Sequence, residues 1–356
     1  MSVRVNKASF SIREKLSELE RPIGLKGSEL MRAETAQEAR DLVSAGRKNL
    51  IINGDFKVSQ RGSYTSSTSM SHNTYYLDRW FADHGNTVTA TFRQITTDLP
   101  KQYRNETNTG LRFEATSSNS SAYLGFRQKY EFMSHLDGKF VTVSAWVKSN
   151  KRAVIINYDG TPPYNYAQHS GSGQWEYLSY TTFISNPSSN HFDVFLIEPT
   201  SYSYTNISSG DYVEVTNYQV EIGKNATEFE HRSYGEELAL CQRYCYVIRG
   251  DWPAATAGEV LVGNGVWNGS NNAYIKIQHP VTMLKVPSID YGNLGWYRVV
   301  AEAVSWRGIS SLSLLTDSCS INSTTISVTA TSDTRGLVAR MTTQTTSAKL
   351  ILSSEL

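Results

Sequence analysis

The sequence predicts a mainly β protein: a short N-terminal helical arm, then an antiparallel β-sandwich (jelly roll), then a smaller C-terminal β domain. Apolar and polar residues alternate with a period of two through most of residues 48–233. Clusters of Gly, Asn, Ser and Pro separate these runs into short strands. Only 19% of residues are charged whereas Tyr alone counts 21, a composition typical of strands joined by polar turns.

The length of 356 residues suggests about two domains in addition to the arm. Lys and Arg total 34 against 33 for Asp and Glu, so we expect neither nucleic acid nor an anionic membrane as a partner. The start lacks the apolar core of a secretion signal, and no stretch approaches the roughly 18 apolar residues of a membrane span. We therefore expect synthesis in a cytoplasm and no membrane insertion.

The arm, residues 1–47, carries the helical signals. Ser11 and Glu14 have capping-box spacing. They open a run with one apolar stripe, formed by Ile12, Leu16, Leu19 and Ile23. A lone helix this short is marginal in water, so we expect the stripe to pack on symmetry mates or on another protein.

A second capping box, at Thr35 and Glu38, opens another helical segment that ends at Gly46. Two interpretations stay open for it. It is either an ordinary amphipathic helix lying on the next domain or a short coil at a threefold axis.

Alternation is clearest in the run from Gly138 to Lys148, where both faces carry apolar residues. We expect Trp146 and Trp175, which lie in such runs, to be core residues. Good helix formers interrupt the strands at 234–246, which we predict to be a connecting helix, and strand patterns return at 247–356. The three cysteines have no CxxC spacing, and we interpret them as reduced thiols.

Three stretches carry a family resemblance. The first is Asn49-Leu-Ile-Ile-Asn-Gly-Asp-Phe56, with Tyr76-Leu-Asp-Arg-Trp80 shortly after it. The second is Tyr218-Gln-Val-Glu-Ile-Gly223, leading into Phe229-Glu-His-Arg-Ser-Tyr234, and the third is Cys241-Gln-Arg-Tyr244. In this order they resemble a family of bacteriophage tail fibre and tail-associated proteins. The resemblance implies a jelly roll of the carbohydrate-binding-module kind at about 49–232.

The resemblance also implies a role. It indicates a structural tail fibre of the virion, made in the host cytoplasm and attached to phage tail proteins by residues 1–47. It implies a homotrimer that recognises a host surface glycan or an outer-membrane receptor. One departure is Cys245, where these proteins usually carry an aromatic residue. The alternatives are a tail adaptor or decoration protein without host contact and, less favoured, a polysaccharide depolymerase.

Aromatic residues in loop-like sequence are the candidate carbohydrate-binding residues. Exposed rings can stack on sugar faces, and neighbouring amides can bond hydroxyls. The candidates are Tyr158, Tyr164, Asn165, Tyr166, Tyr202, Tyr204 and Trp267. The alternative for each ring is packing on the sandwich edge or on a neighbouring subunit.

A cofactor is not expected, although we consider a structural calcium ion at Asp55 and Glu221, because related jelly rolls hold one near their first and last strands. Calcium needs six to eight oxygen ligands, and the sequence offers too few of them here. The Asn53-Gly-Asp55 stretch is otherwise a tight turn. Motifs of zinc proteases, hydrolase elbows and nucleotide-binding loops are absent from the sequence, so we do not expect an enzyme.

Overall fold

The computed structural model describes the backbone of residues 48–85, 87–100, 109–152, 154–159, 166–187, 190–196, 205–251, 260–268, 271–301, 305–331 and 338–356. Both predicted N-terminal helices, with the stripe of Ile12, Leu16, Leu19 and Ile23, lie outside these ranges. Residues 49–356 form one compact unit. It is mainly β, which confirms the predicted fold class.

One sheet of the sandwich, the front sheet, is antiparallel and has six strands in the described residues. In spatial order they are β1 (Thr68–Ser69), β4 (Ala90–Ile95), β5 (Gly110–Ala115), β13 (Tyr212–Ile222), β7 (Lys139–Ser149) and β10 (Trp175–Ile184). The strand β10 is therefore an edge strand.

The back sheet covers the other side of the core. Its order is β2 (Thr74–Tyr75), β3 (Phe81–Gly85), β6 (Asn119–Lys129), β11 (His191–Leu196), β8 (Val154–Asp159) and β9 (Tyr166–Gln168), and β12 (Thr205–Ile207) also pairs with β6. A 3-10 helix at Met133–Leu136 precedes β7. The chain crosses repeatedly between the two sheets, as in a jelly roll.

Alternation explains the core. Val141, Val143, Ala145 and Val147 of β7 are fully buried between the sheets, while their neighbours face outward. Trp80 is the largest fully buried side chain of the described residues, and its indole N–H donates to the carbonyl of Asn53 at 2.8 Å. The Asn53-Gly-Asp55 and Asp78-Arg-Trp80 stretches, which both belong to the motifs of the family resemblance, thus meet in the core.

The Asn53-Gly54 turn has the geometry that its sequence predicts. Asn53 has a φ of 59°, and its side chain bonds the backbone of Val58 and Asp78. A Cβ on Gly54 would lie 2.1 Å from the carbonyl oxygen of Tyr218. Glycine is therefore required for the close approach of this turn to β13.

One α-helix, α1 (Tyr234–Gln242), lies within the described residues. Ser233 and Glu236 form a capping box at its start. It ends at Gln242 rather than at 246, because Cys245 already begins a strand. The three cysteines are free, as predicted, and burial raises the pKa of the Cys241 and Cys245 thiols. No helix in the described part of the chain has the length and apolarity to cross a membrane.

The C-terminal strands form a closed barrel and a small sheet. The barrel order is β15 (Leu261–Trp267), β16 (Asn272–Gln278), β20 (Ser323–Ala330), β19 (Ser305–Leu314), β18 (Tyr297–Ala301) and β21 (Ala339–Thr343), which pairs back with β15. The small sheet contains β14 (Cys245–Arg249), β22 (Lys349–Ser353) and β17 (Ser288–Asp290). Two 3-10 helices, Leu294–Trp296 and Thr316–Ser318, complete this region. The predicted domain boundaries stay predictions.

A buried cluster of charges, here called the clasp, joins the sandwich to the C-terminal strands. It consists of Arg61, Asp78, Arg79 and Glu355, each no more than 9% exposed in its side chain. Glu355 forms ion pairs with both arginines, and Arg61 lies 3.7 Å from Asp78. The Arg79 guanidinium also stacks on Tyr244, 3.6 Å from its ring centroid. The charges are paired, as burial in low dielectric requires.

Candidate functional site

The outer face of the front sheet carries aromatic side chains that the core does not use. Trp146 of β7 and Tyr177 of β10 are directly opposite in the antiparallel register. Their ring centroids are 5.4 Å apart and the rings are inclined at 53°. Trp146 is half-buried, whereas Tyr177 is 44% exposed. We call this pair the front-face platform.

A second aromatic pair lies on the same two strands. Phe140 and Phe183 are also opposite in the register, with ring centroids 5.1 Å apart. They are 40% and 51% exposed. Phe140 and Trp146 are six residues apart on β7, or roughly 20 Å at the rise of a strand. Thr142 and Ser144, which lie between them on this face of β7, are buried, so the two pairs are separate exposed patches. Exposed aromatic side chains are typical of an interaction site.

Charged residues border the platform, and they neutralise one another. Glu214 of β13 accepts from Arg112 at 2.6 Å and lies 3.6 Å from Lys148. Arg112 also pairs with Glu114 at 2.7 Å, and Lys148 pairs with Asp98 at 2.5 Å. The border is thus polar without a large net charge, which suits a neutral or weakly charged ligand.

Hydrogen bonds fix the rings of this face. The Trp175 indole N–H donates to the Asp98 carbonyl at 2.6 Å. Arg112 stacks on Tyr212, with its guanidinium carbon 4.1 Å from the ring centroid. Burial raises the pKa of the Tyr177 hydroxyl, and a hydrogen bond with Ser144 opposes this rise. The hydroxyl therefore stays protonated at neutral pH and can serve as donor or acceptor.

Ion pairs hold the charged residues of the border. The hydrogen bond to Asp98 raises the pKa of Lys148, and burial lowers it less. Asp98, Glu114 and Glu214 all contact cations, so each carboxylate has an ionic partner.

The segment that follows β13 covers the outer face of the C-terminal part of this strand. Gln219 bonds the backbone of Thr227, Glu228 and Glu230. Glu221 accepts two hydrogen bonds from Thr227. These residues hold segment 227–230 over the sheet, and the open part of the face follows the edge strand β10.

The residues predicted from the sequence fall elsewhere. Tyr164, Asn165, Tyr202 and Tyr204 lie outside the described residues, and for Tyr158 only the backbone in β8 is described. Tyr166 is half-buried in β9 and packs against Phe195 on the back sheet. Trp267 is half-buried at the end of β15 and packs against the barrel core. None of the described candidates lies on the front face.

Asp55 and Glu221 have separate partners. Asp55 forms an ion pair with Lys57 at 2.9 Å, and Glu221 is bonded to Thr227 and Gln219. In the described ranges, no group of three or more His, Cys, Asp or Glu side chains is placed to hold a metal ion. Calcium at these two residues stays a prediction without support from a ligand cluster.

The front-face platform differs from the sequence expectation. Trp146 and Trp175 were expected in the core, but the structure places both half-buried on the outer face of the front sheet. Ala145 and Val147, which flank Trp146 along β7, point to the opposite face and are buried in the core. The sequence does contain a signal for this site, because the alternating run at 138–148 places the aromatic residues Phe140 and Trp146 on the same face of the strand. It could not be read without knowing which face the second sheet covers.

Comparisons with known proteins found no matching family model and no matching curated protein. Among solved structures, the chain is similar to the enzymatically active domain of tailspike protein 4 from Bacteriophage CBA120. The identity is 14% over 49% of this chain and 21% of that chain, with a TM-score of 0.29.

Two carbohydrate-binding modules are also similar. One is TmCBM61, solved with beta-1,4-galactotriose, at 10% identity over 50% of this chain and 100% of that chain, with a TM-score of 0.29. The other is the Family 11 module from Clostridium thermocellum, solved with a beta-1,3-1,4-mixed-linked tetrasaccharide. It has 14% identity over 45% of this chain and 98% of that chain, with a TM-score of 0.26. Scores this low carry no argument about function, which therefore rests on the residues themselves.

Proposed function

We propose that this chain is a structural tail fibre protein of a phage virion that binds a host surface glycan through the front face of its sandwich. The observation that carries the proposal is the front-face platform, an aromatic pair left open on a sheet whose border charges are already paired. Sugar rings have apolar C–H faces and hydroxyl edges. The platform offers its rings for the former and the Tyr177 hydroxyl for the latter, with the charged border beside it.

The platform is small, so each contact is weak. Several copies of the chain on one particle would bind together, because linked sites raise the effective concentration of the next contact. Avidity of this kind fits a protein that works as part of an assembly. The tail role, the attachment to phage tail proteins by residues 1–47 and the homotrimer are parts of the proposal, supported by the sequence motifs quoted above.

The first test replaces both platform rings, Trp146→Ala with Tyr177→Ala. An aromatic hot spot contributes about 2 kcal/mol to binding, which is about thirtyfold in affinity. We expect the double variant to lose most binding to host cells, measured by flow cytometry with labelled protein. Phe132→Ala is the matched control, because this exposed ring contacts Tyr130 and His135 and is not part of the platform; it should leave binding unchanged.

A second pair of substitutions distinguishes the front-face platform from the loop tyrosines that the sequence predicted. Tyr164→Ala with Tyr166→Ala tests the loop tyrosines predicted from the sequence. Loss of cell binding in the loop variant alone would move the site to the loop. Equal, unreduced binding by both variants would mean that the host contact lies outside both sites, and absence of cell binding by the wild-type chain would favour an adaptor role without host contact.

The oligomeric state is tested on the intact chain. We expect light scattering coupled to size exclusion to give three times the monomer mass of 39.8 kDa. A monomer or dimer over a wide concentration range would contradict the homotrimer while leaving the front-face platform untouched.

A further inference from the structure

The two edges of the front sheet differ in length. Among the described residues, one edge strand, β1, has two residues, whereas the other, β10, has ten and pairs with β7 along its whole length. Proteins commonly protect the open edge of a sheet with a short strand, a lysine, a proline or a bulge. The sequence of β10 contains no lysine or proline, and its pairing with β7 has no register shift. Its open edge is therefore a template for another strand.

Backbone groups of alternate β10 residues point to this open edge. The N–H of Gly223 donates to the carbonyl of Phe140 at 2.9 Å, so Phe140 of β7 bonds towards β13. Phe183 is opposite Phe140 in the register, and it therefore turns its own N–H and C=O away from β7. By alternation, the residues that share this orientation are Trp175, Tyr177, Ser179, Thr181 and Phe183.

These backbone groups are accessible to a second chain. In the part of the chain that the structure describes, none of the five residues makes a backbone hydrogen bond across the open edge. The side chains of Tyr177, Ser179, Thr181 and Phe183 are exposed on the front face beside it. Both the edge and the side chains that flank it are thus open to contact.

The open edge is self-complementary about Ser179. This residue is the middle one of the five, so a second copy related by a two-fold axis would place its own Ser179 opposite. In that antiparallel register, Trp175 of each copy lies opposite Phe183 of the other, and Tyr177 lies opposite Thr181. Aromatic pairs across neighbouring strands are stabilising.

Charge does not oppose this pairing. Glu176 is the one charged residue in the sequence of β10. Its carboxylate accepts hydrogen bonds from the Ser170 N–H at 3.0 Å and the Ser172 hydroxyl at 2.7 Å. In the two-fold register it would lie opposite Thr182, so like charges do not meet.

We propose that two copies of this chain pair antiparallel along β10, about a two-fold axis at Ser179. Each open N–H of one copy would donate to a C=O of the other, and the two front sheets would become one continuous sheet. Opposite residues of antiparallel strands lie on the same face, so both front-face platforms would face the same side. One host surface could then engage both of them.

This contact is separate from the proposed trimer contact, which involves residues 1–47. Pairing along β10 would double whatever species the arm forms, so three chains would become six and one chain would become two. It also needs no glycan. Its failure is therefore distinguishable from failure of the proposed function, which cell binding tests.

The test is sedimentation velocity of the intact chain over a wide range of concentrations, where we expect the mass to double as the concentration rises. Ser179→Lys would set two lysines opposite each other at the axis. Ser179→Pro would remove an N–H that faces the open edge, a change that an edge strand tolerates. Each substitution occurs twice in the pair, so we expect association to weaken by about tenfold or more. Ser313→Lys, at an exposed position of β19, is the matched control and should associate as wild type does.

A cysteine at the axis locates the contact. Opposite Cα atoms of a hydrogen-bonded antiparallel pair are about 5.5 Å apart, which is within reach of a disulfide. Under mild oxidation Ser179→Cys should give a cross-linked pair of chains, and Ser313→Cys should not. The native thiols of Cys241 and Cys245 are buried.

Three results would overturn the proposal. The first is that the mass of the wild-type species does not double at any concentration, which would leave the edge to a strand of another protein. The second is that the Ser179 and Ser313 variants behave alike in association or in cross-linking. The third is growth of the mass without limit, which would mean open-ended stacking instead of a closed pair. Circular dichroism and thermal melting of each variant confirm that it is folded.

Discussion

Glu355→Ala should lower the free energy of unfolding by about 3–5 kcal/mol, the range for removing one partner of a buried ion pair. The reason is the clasp. Arg79 is 1% exposed and would lose its ion pair, keeping the Lys129 carbonyl and the Tyr244 ring as partners among the described residues. Urea unfolding followed by tryptophan fluorescence measures the change. The effect should be smaller for Glu355→Gln, which keeps a hydrogen-bond acceptor.

Two further variants make this prediction specific to the clasp. Asp317→Ala removes an exposed carboxylate from the C-terminal region and should change stability by less than about 0.5 kcal/mol. Arg79→Met combined with Glu355→Leu removes both charges and should recover much of the loss. A double variant as unstable as Glu355→Ala alone would show that packing, rather than an unpaired charge, dominates.

Trp80→Ala should cost about 3–5 kcal/mol, the range for large-to-small changes at a buried tryptophan. Trp80 is 0% exposed and lies between Phe56 and Tyr218, with ring centroids 4.9 and 5.3 Å away. The variant loses these contacts, creates a cavity and leaves the Asn53 carbonyl without its indole donor. Thermal and urea unfolding should both register the change.

Trp80→Phe is the matched control for this position. It keeps an aromatic ring in the core but not the N–H, so it should be less damaging than alanine. Trp306→Phe provides a comparison at a half-buried tryptophan on the barrel wall and should change stability little. An unfolding midpoint for Trp80→Ala within error of wild type would contradict the assignment of Trp80 to the core.

Much of the fold followed from the sequence, because strand alternation is a local signal. The run at 138–148 was correctly predicted to be a strand, but its sequence did not give the inner face, which the structure assigns to Val141, Val143, Ala145 and Val147. The Asn53-Gly54 turn also followed, because positive φ is a local requirement. The start of α1 followed less directly: good helix formers mark it, and the structure adds the capping box at Ser233.

The candidate site could not be predicted from the sequence, because it depends on pairing between strands that are distant in the chain. Trp146 and Tyr177 are joined only by the β7–β10 register, and no local pattern gives that register. The clasp could not be predicted from the sequence either. Glu355 meets Arg61 and Arg79 across more than 270 residues of chain, so neither its burial nor its partners can be inferred from its neighbours.

Barrel closure was missed for the same reason. The sequence showed strands after residue 247 but not that β21 returns to pair with β15. Closure removes free sheet edges and turns alternate residues outward around the whole wall.

The clasp also bears on how the molecule unfolds. Glu355 follows the last strand of the chain, whereas Arg61 precedes β1 and Arg79 lies between β2 and β3 of the sandwich, so opening the small sheet would leave buried charges unpaired in both regions. The stack of Arg79 on Tyr244 ties the same two regions together. We therefore expect them to unfold as one cooperative unit rather than one after the other.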